Sequence, residues 1–224
     1  MCGRFTLADI STDQIRDLFL LDDVPELGNR YNIAPGQPVA AVRFNRERAR
    51  RELVPLLWGL VPSWAREPLP GARMINARAE TVHQKPAYRG PLRYRRCIVP
   101  ASGFYEWGGH NGGRRPYYLR KKGGGILAFA GLWDSWTSPD GGVLETCAII
   151  TAPAPSSLQW LHDRMPVILE PGQIGVWLDP EVQRPGDLLL LLEGPEDGML
   201  EVWPVSRAVN NPANDSPLLI APER

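Results

Sequence analysis

Glycine and proline interrupt this chain so often that they exclude long regular elements. The 224 residues include 22 glycines and 23 prolines, and the longest purely apolar stretches, 126–133 and 188–192, are short. Three glycine-rich stretches, 108–113, 121–125 and 139–142, are typical of hairpin connections. The pattern therefore predicts many short elements joined by tight turns.

Apolar spacing predicts where these short elements lie. A helix is expected over 11–21, opened by a capping box between Ser11 and Gln14, and shorter helices over 156–161, 171–178 and 185–192. The predicted strands cover 39–44, 53–60, 95–99, 117–120, 126–133, 144–151 and 167–169. Because no change in composition marks a linker, we expect one α+β domain over 1–224, with a mostly antiparallel β-sheet core.

The net charge of zero conceals a separation of charge along the chain. Residues 43–122 contain 18 basic against 5 acidic residues, whereas 1–42 contain 3 against 6 and 123–224 contain 4 against 14. The middle segment could form a basic face that follows phosphates, or it could pair with the acidic segments. Within it, 43–51 is typical of a solvated hairpin, and 88–96 interleaves aromatic rings with arginines, which suits nucleic acid.

Membrane insertion, secretion and metal binding are disfavoured by the sequence. Neither apolar stretch reaches the roughly 20 residues that span a bilayer, and the start of the chain lacks the pattern of a secretory signal. Three cysteines, Cys2, Cys97 and Cys147, occur without a CxxC or Cys/His pair, which argues against disulfides and zinc. We expect a cytoplasmic protein without membrane contact, metal or cofactor.

Cys2 carries distinctive chemistry because only Met1 precedes it. Initiator methionine is removed when the second residue is small, and the mature chain would then begin with an amine and a thiol on one residue. Such an aminothiol condenses with an aldehyde to a Schiff base, and the sulfur then closes a thiazolidine ring. An α-amino group titrates near pH ~8, well below lysine. The alternative is an ordinary, buried and inert cysteine.

Other polar residues stand in unusual surroundings. The sequence NARAET places Asn76, Arg78 and Glu80 at alternate positions, so they share one face of an extended segment. Glu106 lies between large aromatic residues, where desolvation would raise its pKa toward neutrality, as suits a proton shuttle. His162 lies between a predicted helix and a strand and could act as acid or base. The alternatives are a surface glutamate and a structural histidine.

The stretch WGLVPSW contains Trp58 and Trp64 beside glycine and proline. If exposed, these rings would offer a platform for stacking. The alternative is that both belong to the core, as most tryptophans do.

Together these stretches resemble the SRAP (SOS response-associated peptidase) family, whose members crosslink to abasic sites in single-stranded DNA. The resemblance covers almost the whole chain and rests on seven segments in the family's order. They are MCGRF (1–5), YNIAP (31–35), WGLVPSW (58–64), NARAET (76–81), RCIVPASGFYEW (96–107), HDRMPV (162–167) and PVSRAVN (204–210). Any one of them is weak, but seven in order are highly specific.

The resemblance implies a role for each matched residue. Cys2 would capture the C1′ aldehyde of an opened abasic sugar as a thiazolidine. Asn76 would orient the amine and the sugar, Glu106 would move protons, and His162 would assist ring opening and reversal of the crosslink. The residues implied in DNA binding are Gly3, Arg4, Asn32, Pro35, Trp64, Arg78 and Lys85.

The same resemblance implies how the DNA is held. Arg4 and Arg78 would hold the phosphates beside the lesion, and Pro35 and Trp64 would wedge against the neighbouring bases. An abasic nucleotide is easily splayed out because it has no base to unstack. We expect a monomer that acts on single-stranded DNA at the nucleoid.

Two other functions remain open from the sequence. Cys2 and His162 could form a cysteine peptidase, as the family name suggests, and removal of Met1 could be its only cleavage. The chain could also bind single strands without any covalent step, through its basic and aromatic surface.

Overall fold

Twelve β-strands and four short α-helices are described in a computed structural model of residues 2–67, 74–109 and 113–223. The strands are β1 (Phe5–Leu7), β2 (Arg30–Ile33), β3 (Pro38–Asn45), β4 (Arg50–Trp58), β5 (Asn76–Arg78), β6 (Arg96–Ala101), β7 (Gly103–Gly108), β8 (Arg115–Lys121), β9 (Leu127–Thr137), β10 (Val143–Pro153), β11 (Arg164–Pro166) and β12 (Leu200–Pro204). The helices are α1 (Thr12–Phe19), α2 (Pro86–Tyr94), α3 (Pro171–Leu178) and α4 (Pro185–Leu189).

The strands form two sheets. The first has the order β12-β8-β7-β1-β2 and its paired strands are antiparallel. In the second, β10, β4, β3, β6 and β9 pair in turn, and β9 pairs back onto β10, so these five strands close on themselves. Strands β11 and β5 add to β10. Among the described strands, β10 makes parallel pairings with β4 and β5, and the rest are antiparallel, which confirms the predicted fold class.

Alternate side chains of the closed strands enter two hydrophobic clusters. In β10, Ile150 enters the cluster beneath the helices, whereas Ile149 enters the cluster shared with the first sheet. There Phe5 of β1 meets Trp58 at 5.1 Å and Phe129 at 6.1 Å between ring centroids, both edge-on. Buried side chains of this size contribute about 1.5–3 kcal/mol each. The first strand, which begins three residues after Cys2, is therefore anchored in the core.

The predicted helices are largely confirmed. Helix α3 has the predicted bounds, and α1 begins at the predicted capping box. The segment 156–161 forms one 3₁₀ turn, Ser156–Leu158, and α4 ends at Leu189 rather than 192. Helix α2 was not predicted, because Gly90 and Pro91 lower helical propensity within it. Burial of Pro91 and Leu92 against the core outweighs that propensity.

The strand predicted over 167–169 is wrong. The strand lies earlier, because β11 pairs with the end of β10 and stops at Pro166. Beyond it, Val167 still donates to the Ile150 carbonyl of β10, whereas Leu169 already donates to Ala128 of β9. The segment is apolar because it crosses between two strands in the core, and burial alone imitates the pattern of a strand.

The basic and acidic segments are paired in part, so both alternatives for the charge separation apply. The ion pairs that join them are Arg43–Glu145, Arg50–Asp22, Arg95–Asp134, Arg115–Glu223 and Arg120–Glu201. Arg96 is buried and donates to main-chain carbonyls at the ends of α2 and α3, so it has a structural role. In contrast, Arg89 and Arg93 are exposed on α2 and make no ion pair within the described residues.

Candidate functional site

Cys2 lies three residues before the start of β1 and is buried in the cluster between the two sheets. Burial raises the pKa of its thiol well above the ordinary range, and the nearby Glu106 carboxylate raises it further. Its main-chain carbonyl accepts a hydrogen bond of 2.8 Å from Asn76 Nδ2. The segment is fixed to β7 because Tyr105 N donates to the Arg4 carbonyl at 2.9 Å. The thiol is thus protonated at neutral pH and held in place.

Asn76 is positioned by the strands around it. Its strand, β5, runs parallel to β10, and the Asn76 carbonyl accepts a 3.1 Å hydrogen bond from Tyr88 Oη of α2. The Asn76 Oδ1 atom is buried and accepts no hydrogen bond from any described residue. An unpaired buried acceptor costs about 1–3 kcal/mol. Within the described residues, Asn76 therefore has a free acceptor atom close to Cys2, whose carbonyl its amide already binds.

Glu106 is brought to Cys2 by the pairing of β1 with β7. Phe5 lies opposite Phe104, and the same antiparallel register carried two residues further sets Glu106 opposite Gly3. The Glu106 side chain is 2% exposed. Burial raises the pKa of this carboxyl to about 7, and the charge of Asp163 also raises it. Glu106 therefore exists in both protonation states near neutral pH.

His162 reaches the same place through a close contact between two backbones. Gly108, at the end of β7, lies so near Leu161 that a Cβ atom there would stand 3.1 Å from the Leu161 Cα. Only glycine fits at position 108. This close contact holds Leu161 against β7, so His162, which follows Leu161, lies beside the strand that carries Glu106. Burial lowers the pKa of His162. Its Nδ1 accepts a 3.0 Å hydrogen bond from Arg164 N, so the neutral ring carries its proton on Nε2.

Asp163 offers the His162 ring a second, competing contact. One carboxylate oxygen of Asp163 lies 2.7 Å from the same Nδ1. A neutral ring accepts there from the Arg164 main chain, whereas a protonated ring donates to the carboxylate. The partner of Nδ1 therefore depends on whether the histidine is charged.

The pair of Arg164 and Glu80 was not identified from the sequence as part of the site. Arg164 donates to both Glu80 carboxylate oxygens, at 2.8 and 2.9 Å, and to the Thr151 carbonyl at 2.6 Å. The pair ties the turn after β5 to the start of β11, so it links the segments of Arg78 and His162. The alternation of polar residues in NARAET was the sequence signal for Glu80, because it predicted one extended segment. The strand β5 ends at Arg78, however, and Glu80 lies in the turn that follows.

Four of the predicted residues line one cleft of about 580 Å³. They are Trp64, Asn76, Arg78 and Lys85, and apolar groups from Pro62, Ala65, Met74 and Tyr88 complete its walls. Trp64 is 66% exposed, whereas Trp58 is buried and donates from Nε1 to the Ile75 carbonyl at 3.0 Å. Trp64 is therefore exposed, as a stacking platform requires, whereas Trp58 belongs to the core. Arg78 and Lys85 are exposed and unpaired by any described acidic residue within 4.0 Å.

Arg4 and Asn32 lie together, away from this cleft. Arg4 Nη1 donates to Asn32 Oδ1 and to the Val209 carbonyl, both at 2.7 Å. The Asn32 amide is buried and donates to three main-chain carbonyls of the segment 209–214. Its described hydrogen bonds are thus internal, and it supports Arg4. Gly3 and Pro35 are partly exposed. DNA contacts of these four residues stay predictions.

No described helix has the length and apolar character needed to cross a membrane. In the same residues, no group of three or more His, Cys, Asp or Glu side chains is arranged to hold a metal ion. Met1, whose removal was expected, lies outside the described residues.

Comparisons with known proteins give consistent results. A family model described as SOS response associated peptidase (SRAP) matches residues 1–212. The chain is similar to the abasic site processing protein YoqW of Bacillus subtilis (strain 168), with 40% identity over 98% of this chain and 99% of that protein. It is also similar to the abasic site processing protein HMCES of Gallus gallus, with 35% identity over 81% of this chain and 60% of that protein.

Solved structures agree with the fold. A crystal structure of a protein from Bacteroides thetaiotaomicron superposes with a TM-score of 0.83 over the whole of both chains, at 24% identity. A phage-related protein from Bordetella bronchiseptica superposes with a TM-score of 0.72, at 28% identity, over 92% of this chain and 95% of that one.

Proposed function

This chain belongs to the SRAP (SOS response-associated peptidase) family, and from that premise we propose that it binds single-stranded DNA and crosslinks reversibly to abasic sites through Cys2. The observation that carries the proposal is the 2.8 Å hydrogen bond from Asn76 to the carbonyl of Cys2, a residue whose thiol also lies near the Glu106 carboxylate. The names of the relatives, abasic site processing proteins, support the same substrate.

The covalent step needs the amine that loss of Met1 would expose on Cys2. Asn76 Oδ1 would accept a hydrogen from that amine and direct its lone pair at the C1′ aldehyde. Attack gives a carbinolamine, which loses water to form a Schiff base. The sulfur then adds to the same carbon while its proton passes to the nitrogen. The product is a thiazolidine, with the mass of protein plus DNA minus one water.

Glu106 supplies the proton transfers in this scheme. With a pKa of about 7, its acid form can protonate the departing hydroxyl, and its carboxylate can take the proton of the thiol. A base is required because burial keeps the Cys2 thiol protonated. The neutral His162, with its proton on Nε2, would assist opening of the sugar ring and reversal of the crosslink.

The cleft beside Asn76 gives the strand a path to Cys2. Arg78 and Lys85 would hold phosphates, and Trp64 would stack on a base next to the lesion. On the other edge Arg4, supported by Asn32, would hold a further phosphate. Gly3 would allow close approach of the strand, and Pro35 would wedge against a neighbouring base. Direct contact of Asn32 with DNA is not required, because its amide stabilises the segment that also binds Arg4.

Intact-mass spectrometry of the purified protein, before and after mixing with a single-stranded oligonucleotide carrying one abasic site, tests the proposal. The starting mass reports whether Met1 is present. A denaturation-resistant species of protein plus oligonucleotide minus one water is expected. It should be lost in Cys2→Ala and kept in Cys147→Ala, since Cys147 is a buried thiol in the same cluster. A Cys2→Ala protein that still crosslinks fully would refute the proposal.

A second variant separates the aminothiol from the thiol. One alanine inserted between Met1 and Cys2 keeps the sulfur and moves the α-amine to another residue. Thiazolidine formation should then disappear. Crosslinking at the wild-type rate would show that the thiol acts without the amine.

The peptidase interpretation is weaker because the pKa of the Cys2 thiol is raised. A cysteine nucleophile of that class works as a thiolate with a lowered pKa. Burial has the opposite effect on Cys2. Turnover of an unrelated peptide that depends on both Cys2 and His162 would favour the peptidase. Salt-sensitive binding indifferent to the lesion and to Cys2 would favour a non-covalent module.

A further inference from the structure

An exposed tryptophan, Trp160, lies near His162 and contacts a half-buried tyrosine, Tyr117, outside the Trp64 cleft. Trp160 is 48% exposed, and its ring meets that of Tyr117 edge-on, with centroids 5.1 Å apart and an interplanar angle of 84°. Neither residue lines the cleft that contains Trp64. A large exposed ring held in a fixed orientation by a second ring is suited to stacking on a ligand.

The pair faces the reactive end of the molecule. Tyr117 lies directly opposite Glu106 in the pairing of β7 with β8, and opposite residues point to the same face with Cβ atoms about 4.5–5.5 Å apart. Trp160 precedes His162 by two residues, and the intervening Leu161 packs on Gly108 of β7. Trp160 therefore contacts the cross-strand partner of Glu106 and lies two residues before His162.

Two exposed arginines lie near His162 and near the start of β8, the strand that carries Tyr117. Arg114, just before β8, lies near enough to His162 to contribute to lowering its pKa. The guanidinium of Arg207 approaches the neighbouring Gly113. Neither arginine has an acidic partner within 4.0 Å in the described part of the chain. An exposed ring beside unpaired cations matches the combination that binds single-stranded nucleic acid.

The two exposed tryptophans approach Cys2 from different neighbours. Trp64 shares its cleft with Asn76, which binds the Cys2 carbonyl, whereas Trp160 adjoins Tyr117, the cross-strand partner of Glu106. A nucleotide held at Cys2 would thus lie between the two rings. Since an abasic nucleotide has no base of its own, the bases on either side of it must supply any stacking.

We propose that Trp160, braced by Tyr117, stacks on the base next to the lesion on the side opposite to the base that Trp64 contacts. Arg114 then binds the phosphate on that side. The inference rests on the proposed function and adds a second stacking contact to it. The site would thereby recognise a lesion with an unpaired base on each side, which is the arrangement in a single strand.

A binding cycle tests this contact without the covalent step. Cys2→Ala protein is titrated with three single-stranded oligonucleotides carrying one tetrahydrofuran abasic analogue. The first keeps both neighbouring bases, and in the other two one neighbour, 5′ or 3′, also lacks its base. Trp160→Ala, added to this background, should weaken binding to the first oligonucleotide by about 5- to 150-fold, the range for one base stacked on an aromatic ring.

The test depends on which neighbouring base, when removed, abolishes the effect of each tryptophan substitution. Trp160→Ala should not weaken binding to the oligonucleotide that lacks the base on which Trp160 stacks. Trp64→Ala should leave binding unchanged only for the other oligonucleotide, which lacks the base on which Trp64 stacks. Trp160→Phe, which keeps an aromatic face, should retain most of the affinity. The inference is overturned if Trp160→Ala weakens all three oligonucleotides equally, has no effect, or couples to the same base as Trp64→Ala.

Failure of this inference can be told from failure of the proposed function. The wild-type protein is mixed with an oligonucleotide carrying a true abasic site, and covalent product is measured. If product forms but the cycle shows no coupling to Trp160, only the second stacking contact is wrong. If no product forms, the covalent function is wrong, whatever the cycle shows.

Discussion

Replacing Glu106 with glutamine should remove a pH-dependent loss of stability and, with it, the proton transfers of crosslinking. The ordinary pKa of the side chain is 4.5, and burial raises that of Glu106 to about 7 in the folded chain. Between these pH values the folded state keeps a proton that the unfolded state has lost. Stability from this group is therefore complete below pH 4.5 and is lost as pH rises to about 7.

The size of the effect follows from the same two pKa values. One pH unit over this interval is worth about 1.4 kcal/mol. The interval from 4.5 to about 7 thus corresponds to a loss of roughly 3 kcal/mol, an upper value. Since Glu106 is 2% exposed, little of the loss is screened by water. Glutamine fills nearly the same volume and does not ionise, so the variant lacks this loss.

Urea unfolding, followed by tryptophan fluorescence at a series of pH values from about 4.5 to 8, measures the difference directly. The free energy of unfolding of Glu106→Gln minus that of the wild type should increase by roughly 3 kcal/mol over the series. An exposed glutamate changed in the same way, Glu193→Gln, is the control for loss of one surface carboxylate. Parallel curves for Glu106→Gln and the wild type would refute the burial argument. The rate of crosslinking should fall by about 10²–10⁴-fold, as for loss of an acid–base group.

Two further pairs of substitutions test how the site is held. Gly108→Ala would place a Cβ atom 2.6 Å from Leu161 Cδ1. We therefore expect its free energy of unfolding, measured with urea, to fall by about 1–3 kcal/mol, and release of the crosslink, followed on gels, to become slower. Gly28→Ala, whose new Cβ atom would have nothing within 4 Å, should behave as the wild type. Arg164→Lys loses the bidentate contact with Glu80 and should slow the initial rate of crosslinking several-fold, as should Glu80→Gln. Because the two residues act as one pair, the double variant should be no slower than either single one, and additive effects would contradict the pairing.

The sequence predicted elements best where local signals and burial agree. The capping box located α1, and α3 has its predicted bounds. It failed where tertiary packing overrides local preference. Helix α2 forms across Gly90 and Pro91 because its apolar face is buried, and the apolar segment 167–169 crosses between strands instead of forming one.

The same division holds for the site. The desolvated setting of Glu106 was visible from its aromatic neighbours, and the raised pKa agrees with it. The salt bridge between Arg164 and Glu80 was not visible, because it joins residues 84 positions apart through a turn. Nor could the sequence distinguish Trp58 from Trp64, since a composition of glycine, proline and apolar residues does not state which ring faces the core.

The sequence by itself determined which chemical groups this protein has and the family to which it belongs. Cys2 stands directly after Met1, so an aminothiol there is a prediction that depends on loss of Met1, and the seven family segments occur in the family's order. Only the tertiary structure decided which groups meet. Cys2, Asn76, Glu106 and His162 lie far apart along the chain, and they come together through the register of β1 with β7, the pairing of β5 with β10 and the close approach of Gly108 to Leu161. Such contacts depend on long-range packing, for which a local stretch of sequence carries no signal.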